Sequence, residues 1–207
     1  MGQFCLGACK RQPYDTDLRV PFLLRGPGIA AAQHIASVAG IADVAPTLLE
    51  LAGVPAGGLT IDGRSLVPLL AASEAASAAV VRARASWRDA YLVEYFATQE
   101  GVKSSAGHIL DAGNNTFRGL RIIGSGSGSP HLEHFESAWW WGDLAYFEFT
   151  DVEADWGFER PSFFELYDML SDPAQLHNVY AAAPIALRDN LAARVRAQYG
   201  CIASACS

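Results

Sequence analysis

The chain has 207 residues, of which 51% are hydrophobic and 18% charged, and its formal net charge is −7. This composition supports a packed core and excludes a disordered tail, and the length suits one domain or a large part of a bigger protein. The negative charge argues against nucleic-acid binding, which needs a basic face to neutralise phosphates. No apolar run approaches the roughly 20 residues of a membrane-spanning helix, so we expect no membrane span.

The first predicted element is a short buried strand over Val20–Leu24, which is apolar apart from Pro21 and is followed by the turn sequence Gly26-Pro27-Gly28. Further on, Leu66–Leu70 predicts one or two helical turns after the turn Asp62-Gly63-Arg64-Ser65. These elements belong to the first of two structural units that the sequence predicts.

Between them lies a predicted helix that begins at Asp43 and ends at Gly53. Asp43 is of the residue type that caps helix starts, and glycine is typical after a last turn. Val44, Leu48 and Leu51 share one side of this helix, so we expect that side to be buried.

An alanine-rich stretch over residues 71–86 separates the two units, as a helix or a connector, and short β-like runs follow it. Four strands are predicted, at Tyr91–Phe96, Thr116–Ile123, Ala145–Thr150 and Phe163–Tyr167. A final helix is predicted from near Pro184 to Gly200, with Leu187, Leu191, Val195 and Tyr199 at i, i+4 spacing. The predicted organisation is residues 1–70, a connector at 71–88, and an α+β subdomain at 89–207.

Several ordered motifs resemble the sulfatase family. They are Lys10 followed by Tyr14-Asp15 and Arg19-Val20-Pro21, then Gly26-Pro27-Gly28, Ile41–Gly53, Asp62–Leu66, Leu92–Tyr95, Asn114-Asn115-Thr116, Glu148-Phe149, Tyr167-Asp168 and Asp172–Asn178. The Asn-Asn-Thr sequence and the C-x4-C spacing of Cys201 and Cys206 point to its glucosamine-6-sulfatase group. Gly-Pro-Gly or Asp-Pro alone is a weak signal, whereas the ordered set is specific.

The resemblance implies an alkaline-phosphatase-like α/β fold with an antiparallel C-terminal subdomain, and hydrolysis of sulfuric esters on 6-sulfated glucosamine of glycosaminoglycans. Family members use a formylglycine nucleophile made in a C/S-x-P-x-R motif, and a Ca2+ ion that polarises the sulfate. Lys10 matches the family's lysine that contacts the substrate sulfate. Tyr14, Asp15, Arg19 and Arg25 are interpreted as structural supports near it.

The C/S-x-P-x-R motif is absent from the 207 residues, and Ser171-Asp172-Pro173-Ala174-Gln175 is its nearest approximation. The family's calcium ligands would fall before Gly2. We therefore expect an N-terminally truncated sulfatase that is inactive alone. The alternative is a non-catalytic sulfatase-like module that binds a glycan or a partner.

The cysteines and a glycosylation sequon indicate in which cellular compartment the protein folds. The resemblance implies a disulfide between Cys201 and Cys206, which needs an oxidising environment. For Cys5 and Cys9 a tight disulfide, free thiols and a weak metal site stay open. Asn114 begins a glycosylation sequon. The family implies a lysosomal or extracellular location, although we do not expect Met1–Cys5 to begin a signal peptide, because it has no basic start leading into an apolar stretch.

The remaining candidates carry weaker signals. The family's pattern leads us to expect cysteines on two neighbouring strands where this chain has Gly119 and Phe147. His131 and His134 have a metal-ligand spacing if helical, but they follow the Gly-Ser stretch 124–129, which favours a solvated loop. His177 is interpreted as a structural hydrogen-bonding residue. Trp139-Trp140-Trp141 is interpreted as subdomain core rather than a sugar-stacking platform. The sequence indicates no oligomeric state.

Overall fold

A computed structural model describes residues 11–55, 58–70, 77–97, 113–124, 142–151 and 157–202. Its helices are α1 (Asp15–Leu18), α2 (Val44–Leu51), α3 (Val67–Leu70), α4 (Ala78–Ala85) and α5 (Ile185–Tyr199). Its strands are β1 (Ala90–Tyr95), β2 (Thr116–Ile122), β3 (Leu144–Thr150) and β4 (Phe163–Asp168). The four predicted strands and the terminal helix are therefore confirmed, each to within a few residues.

The chain forms two compact units. One combines Met1–Pro21 with Leu92–Val195, and we call it the sheet unit; the other combines Phe22–Tyr91 with Arg196–Ser207, and we call it the helical unit. These two units do not test the predicted connector at residues 71–88, which stays a prediction.

The sheet unit is built around a four-stranded sheet in the order β1-β2-β3-β4. Strands β2 and β3 are antiparallel, with Phe117 opposite Phe149, and β3 and β4 are antiparallel, with Phe147 opposite Glu165. Every residue of β3 is buried, so both faces of the sheet are covered along this strand. Such burial on both faces explains why β3 is apolar or aromatic at almost every position.

One face of the sheet carries an aromatic core made of alternate strand residues. Its buried members are Phe117, Ala145, Phe147, Phe149, Tyr167 and Met169. Tyr14, Leu18, Val93 and Tyr95 pack against this cluster. The segment that follows Lys10 thus lies on the sheet.

The helical unit has a smaller apolar core. Leu66, Leu69 and Leu70 are buried, and Leu24, Ile29, Ile35 and Trp87 pack against them. A second centre of packing is polar: Asp43 is fully buried and forms an ion pair with Arg88.

Asp43 does not cap α2 with its side chain, contrary to the prediction. Its Oδ2 atom accepts a hydrogen bond from the Gly40 N–H (2.8 Å), and its Oδ1 atom accepts one from the Arg64 N–H (2.8 Å). The 3-10 helix Ile41–Asp43 precedes α2 and places the carboxylate among these donors. The buried ion pair and backbone donors therefore take the oxygens that a cap would use.

Two further predictions for the first seventy residues are wrong. Val20–Leu24 is not a strand, and Leu23 is 88% exposed, because no described strand pairs with it and Pro21 lacks an amide donor. The buried residues of α2 are Pro46 and Thr47 rather than its leucine side, since Leu48 is 57% exposed. Leu66–Leu70, by contrast, contains the predicted helical turn as α3.

The terminal helix α5 matches its prediction closely. Leu187, Leu191 and Val195 are buried, and Tyr199 is 39% exposed. The helix ends before Gly200, whose N–H donates to the Arg196 carbonyl oxygen.

Candidate functional site

The backbone next to Lys10 is held by contacts with distant parts of the chain. Lys10 itself lies outside the described residues. Arg11 has φ +76°, a conformation uncommon for a residue with a side chain. Asn115 Nδ2 donates a hydrogen bond to the Arg11 carbonyl oxygen at 2.9 Å. This bond fixes the chain one residue after the predicted sulfate contact.

A buried glutamine ties residues 11–18, which we call the anchored segment, at two further points. Gln175 Oε1 accepts a hydrogen bond from the Asp15 N–H at 2.6 Å, and its Nε2 atom donates to the Pro13 carbonyl oxygen at 3.4 Å. Gln175 also has a positive φ, +55°. One side chain thereby satisfies both a donor and an acceptor of the anchored segment.

The strongest electrostatic tie runs from the anchored segment to β2. Arg121 Nε and Nη2 donate to the two carboxylate oxygens of Asp15, at 2.9 and 3.2 Å. Arg121 Nη1 donates to Asp143 Oδ1 at 2.7 Å. Burial alone would lower the pKa of Arg121, but hydrogen bonds and charge from the two aspartates outweigh burial and raise it. We call these three residues the Arg121 clamp.

Below the anchored segment lies a chain of ionisable groups on the aromatic face of the sheet. The Tyr14 and Tyr167 rings meet edge to face, with centroids 6.4 Å apart. Tyr167 is hydrogen-bonded to both Tyr14 and Glu165. Glu165 is 8% exposed, and no described residue supplies a partner to its Oε2 atom. Burial raises the pKa of Glu165 to about 7, while the Tyr167 hydrogen bond opposes the rise.

The other predicted supports are placed differently. Tyr14 and Asp15 both contact the sheet unit, as their structural interpretation requires. Arg19 and Arg25 are exposed. His177 is exposed as well, and its backbone N–H donates to Asp172 Oδ2 at 2.8 Å. Cys5 and Cys9, His131 and His134, and Trp139-Trp140-Trp141 lie outside the described residues.

Asn114 lies in the 3-10 helix Gly113–Asn115, directly before β2, and its side chain is exposed. Cys201 follows α5 and is disulfide-bonded. Cys206 lies outside the described residues, so the Cys201–Cys206 pairing stays a prediction, as does glycosylation of Asn114.

Metal-ligating side chains do not gather in the part of the chain that the structure describes. Within it, no group of three or more His, Cys, Asp or Glu residues is arranged to hold a metal ion. The described residues therefore do not fit the family's calcium site. A search of the same residues for a helix long and apolar enough to cross a membrane found none.

Comparisons with known proteins find the same family that the ordered sequence motifs resemble. Residues 8–109 match the family described as N-sulphoglucosamine sulphohydrolase, C-terminal. The chain is 31% identical over 192 residues to human N-acetylglucosamine-6-sulfatase. The alignment covers 86% of this chain and 29% of that protein. The chain belongs to the sulfatase family. It is also 39% identical over 106 residues to an extracellular sulfatase homologue of Drosophila melanogaster, covering 51% of this chain and 9% of that one.

This sulfatase chain spans less than a third of the length of the curated relatives it matches. A solved structure from a study of glycosaminoglycan metabolism by Bacteroides thetaiotaomicron has a TM-score of 0.50 and 18% identity. It covers 89% of this chain and 30% of that one. The likeness shows the fold and confirms the predicted sulfatase-like α/β class with its antiparallel subdomain.

Gly119 and Phe147, the positions where the sulfatase resemblance leads one to expect cysteines, are direct partners across β2 and β3. A Cβ atom on Gly119 would collide with the Tyr146 carbonyl and the Phe147 ring. The large phenylalanine therefore fills the space that the glycine leaves open, so the two residues form a small-large pair across the strands.

Sequence reasoning missed the roles of Arg121 and Gln175, which contact the anchored segment, and of Asp143 and Glu165, which pair with Arg121 and Tyr167. One signal was available: Arg118 and Arg121 both fall within a predicted strand, where a buried arginine requires a carboxylate partner. The identity of that partner was not available, because Asp15 lies more than a hundred residues away.

Proposed function

We propose that this chain is the C-terminal part of a sulfuric ester hydrolase that removes sulfate from 6-sulfated glucosamine or N-acetylglucosamine in glycosaminoglycans. The observation that carries the proposal is 31% identity over 86% of the chain to human N-acetylglucosamine-6-sulfatase. The matched range 8–109 includes Lys10. The substrate and partner would accordingly be a sulfated glycan.

Lys10 supplies a positive charge to the substrate sulfate in this proposal. A lysine ammonium is a compact point charge, suited to an oxyanion whose negative charge grows as the ester bond breaks. The anchored segment supports this role because Asn115, Gln175 and Arg121 fix the backbone that follows Lys10. A cation that is already held in position before the reaction does not have to be reoriented as charge develops in the transition state.

The remaining chemistry needs polypeptide beyond these 207 residues. The formylglycine motif C/S-x-P-x-R does not occur in them. Calcium, when bound in such a site, draws electron density from the sulfate oxygens, and the described residues do not form its site. The 207-residue chain alone therefore releases no sulfate in this account.

The proposed location is the lysosome or the extracellular space. An exposed sequon at Asn114 and a disulfide at Cys201 support an oxidising, glycosylating route. The Drosophila relative is named an extracellular sulfatase, which is consistent with this location.

The test compares two lysine substitutions in the longest polypeptide that the gene encodes around this chain. Lys10→Ala is expected to lower kcat/KM for N-acetylglucosamine-6-sulfate by about 10²–10³-fold, the usual cost of losing one oxyanion-stabilising group. Lys103→Ala removes the only other lysine of these 207 residues and is the matched control, with kcat/KM expected within twofold of wild type. Equal activity of the two variants would remove Lys10 from the site.

A second candidate is a non-catalytic module that binds sulfated glycans, which the missing nucleophile motif favours. It predicts that the purified 207-residue chain binds a 6-sulfated oligosaccharide in calorimetry, and that the desulfated oligosaccharide does not bind. If the gene encodes no C/S-x-P-x-R motif upstream, this candidate replaces the hydrolase; if the chain shows no sulfate-dependent binding, it is excluded.

A further inference from the structure

The anchored segment cannot hold its own position. Helix α1 is a single turn of four residues, contains no buried residue and has no side-chain cap. Isolated helices of this length are not stable in water, because nucleation costs more than one turn returns. Its placement on the sheet must therefore come from contacts outside the segment.

Arg121 provides the central contact. Its guanidinium donates to Asp15 through two nitrogens and to Asp143 through the third. The side chains are largely buried, with 13% of Arg121 and 15% of Asp15 exposed. A bidentate pair fixes both distance and orientation, which a lone point charge does not. Arg121 Nη1 also donates to the Ile122 and Leu144 carbonyl oxygens.

This bonding pattern separates Arg121 from a substrate ligand. All three of its nitrogens already donate to protein oxygens, and two carboxylates already balance its charge. Arg121 is thus suited to hold the protein backbone and unsuited to bind a sulfate directly. Asp15 lies five residues after Lys10, and the Asn115 and Gln175 contacts fix the residues between them.

We propose that the Arg121 clamp is a positioning element of the sulfatase site, which sets the location of the segment that presents Lys10 to the substrate sulfate. This inference rests on the proposed function, because it assigns a consequence to the contact between Lys10 and sulfate. A displacement of about 1 Å at a reacting group can cost about 10²-fold in rate, so a loosened clamp should affect catalysis without touching the substrate.

The test uses Arg121→Gln in the longest encoded polypeptide. We expect KM for N-acetylglucosamine-6-sulfate to rise about tenfold and kcat/KM to fall about 10²-fold. Amide hydrogen exchange should accelerate at Asp17, Leu18 and Arg19, whose N–H groups donate within α1. A purely structural role would instead lower the active fraction, which reduces kcat at an unchanged KM. Arg121→Lys keeps the charge but not the bidentate pair, and should give intermediate kinetics.

Arg188→Gln is the control, since it removes one arginine from the same unit, on α5, where the guanidinium lies over the Tyr180 ring, 5.2 Å from its centroid. It should leave KM and exchange in α1 within twofold of wild type. If Arg121→Gln fails to fold, Gln175→Asn replaces it. Asparagine tolerates the positive φ of this position, but its shorter side chain does not reach Pro13 and Asp15, so the same two effects are expected at smaller size.

Each outcome decides the inference. Wild-type KM in Arg121→Gln overturns it, and so does unchanged exchange in α1. A wild-type polypeptide that releases no sulfate refutes the proposed function and the positioning role with it. In that case the exchange data still show whether Arg121 anchors the segment, so the two failures are distinguishable.

Discussion

The sheet unit and the helical unit treat their apolar residues in opposite ways. All seven residues of β3 are buried, whereas on α2 the exposed fractions of Leu48 and Leu51 are 57% and 47%. Both elements are apolar in sequence. An apolar pattern therefore identifies which side of a helix or strand can be buried. Whether that side is buried depends on another element packing against it.

In the helical unit, polar residues of the α2 region are buried while its leucines are exposed. Thr47 is buried, its hydroxyl donates to the Asp43 carbonyl oxygen at 2.6 Å, and it accepts from the Leu66 N–H at 2.8 Å. Asp43 binds two backbone amides and Arg88. The Arg64 guanidinium lies over the Trp87 ring, with its Cζ atom 4.8 Å from the ring centroid. The polar network around Asp43 therefore orders α2 where apolar burial does not.

The largest expected effect is on this network. Asp43→Ala leaves the buried Arg88 without its carboxylate and removes the acceptor of two amides. We expect it to lower the free energy of unfolding by about 3–5 kcal/mol, measured by urea denaturation. Glu50→Ala, an exposed position on α2, should change it by less than about 0.5 kcal/mol. Similar losses in both variants would mean that the network does not order the unit.

The same substitution in the two units sharpens the contrast. Leu120→Ala opens a cavity at a fully buried position of β2 and should cost about 2–5 kcal/mol. Leu48→Ala removes the same atoms from an exposed position and should cost less than about 0.5 kcal/mol. Urea unfolding of both variants measures the difference, and equal costs would show that Leu48 is buried against something in solution.

The pH dependence of stability should arise in the sheet unit. The pKa of Glu165 is about 7 in the folded chain and 4.5 in its unfolded reference, so the folded state favours the neutral carboxyl. The contribution of Glu165 to stability is therefore largest below pH 4.5, falls as the pH rises to 7, and then levels off, with a loss of about 3 kcal/mol. Tyr14 and Tyr167 face Glu165 and stay neutral over this range, because their pKa values are raised above 10.

Glu165→Gln should flatten this part of the stability profile, because glutamine does not titrate. The measurement is urea unfolding of wild type and variant at pH 4.5, 5.5, 6.5 and 7.5. A variant whose stability falls with pH as steeply as that of wild type would assign the dependence to another group.

The smallest effect on stability is expected at the sequon. Asn114→Gln should alter the free energy of unfolding by less than about 0.5 kcal/mol, since Asn114 is exposed before β2. In a secretory host, mass spectrometry should find a glycan on wild type and none at position 114 of the variant. An unmodified wild-type chain in such a host would contradict glycosylation at this site.

Local patterns were sufficient for most of the sheet unit. Strands β1 to β4 each combine aromatic or β-branched residues with flanking turns, and α5 has i, i+4 spacing of Leu187, Leu191 and Val195. Val20–Leu24 and the leucine side of α2 failed because burial depends on a partner that no local pattern specifies. The carboxylate of Asp43 was assigned to a cap since its donors, Arg64 and Arg88, come from later in the chain.

The candidate site was predictable only in part. The order of motifs around Lys10 and Asp15 identified the family, and the role of Asp15 as a support agrees with its pair with Arg121. Arg121 and Gln175 reach the anchored segment from β2 and from the loop after β4, and Asp143, directly before β3, pairs with Arg121. Contacts of this kind depend on tertiary structure, so a single sequence does not reveal them.

The central proposal is that this chain is the C-terminal part of an enzyme that removes 6-sulfate from glucosamine residues. The most direct measurement is calcium-dependent release of sulfate from N-acetylglucosamine-6-sulfate by two proteins in parallel. The longest polypeptide encoded around the chain should release sulfate, and the purified 207-residue chain should release none. Release by the 207-residue chain alone, or none by the longer polypeptide, would contradict the account.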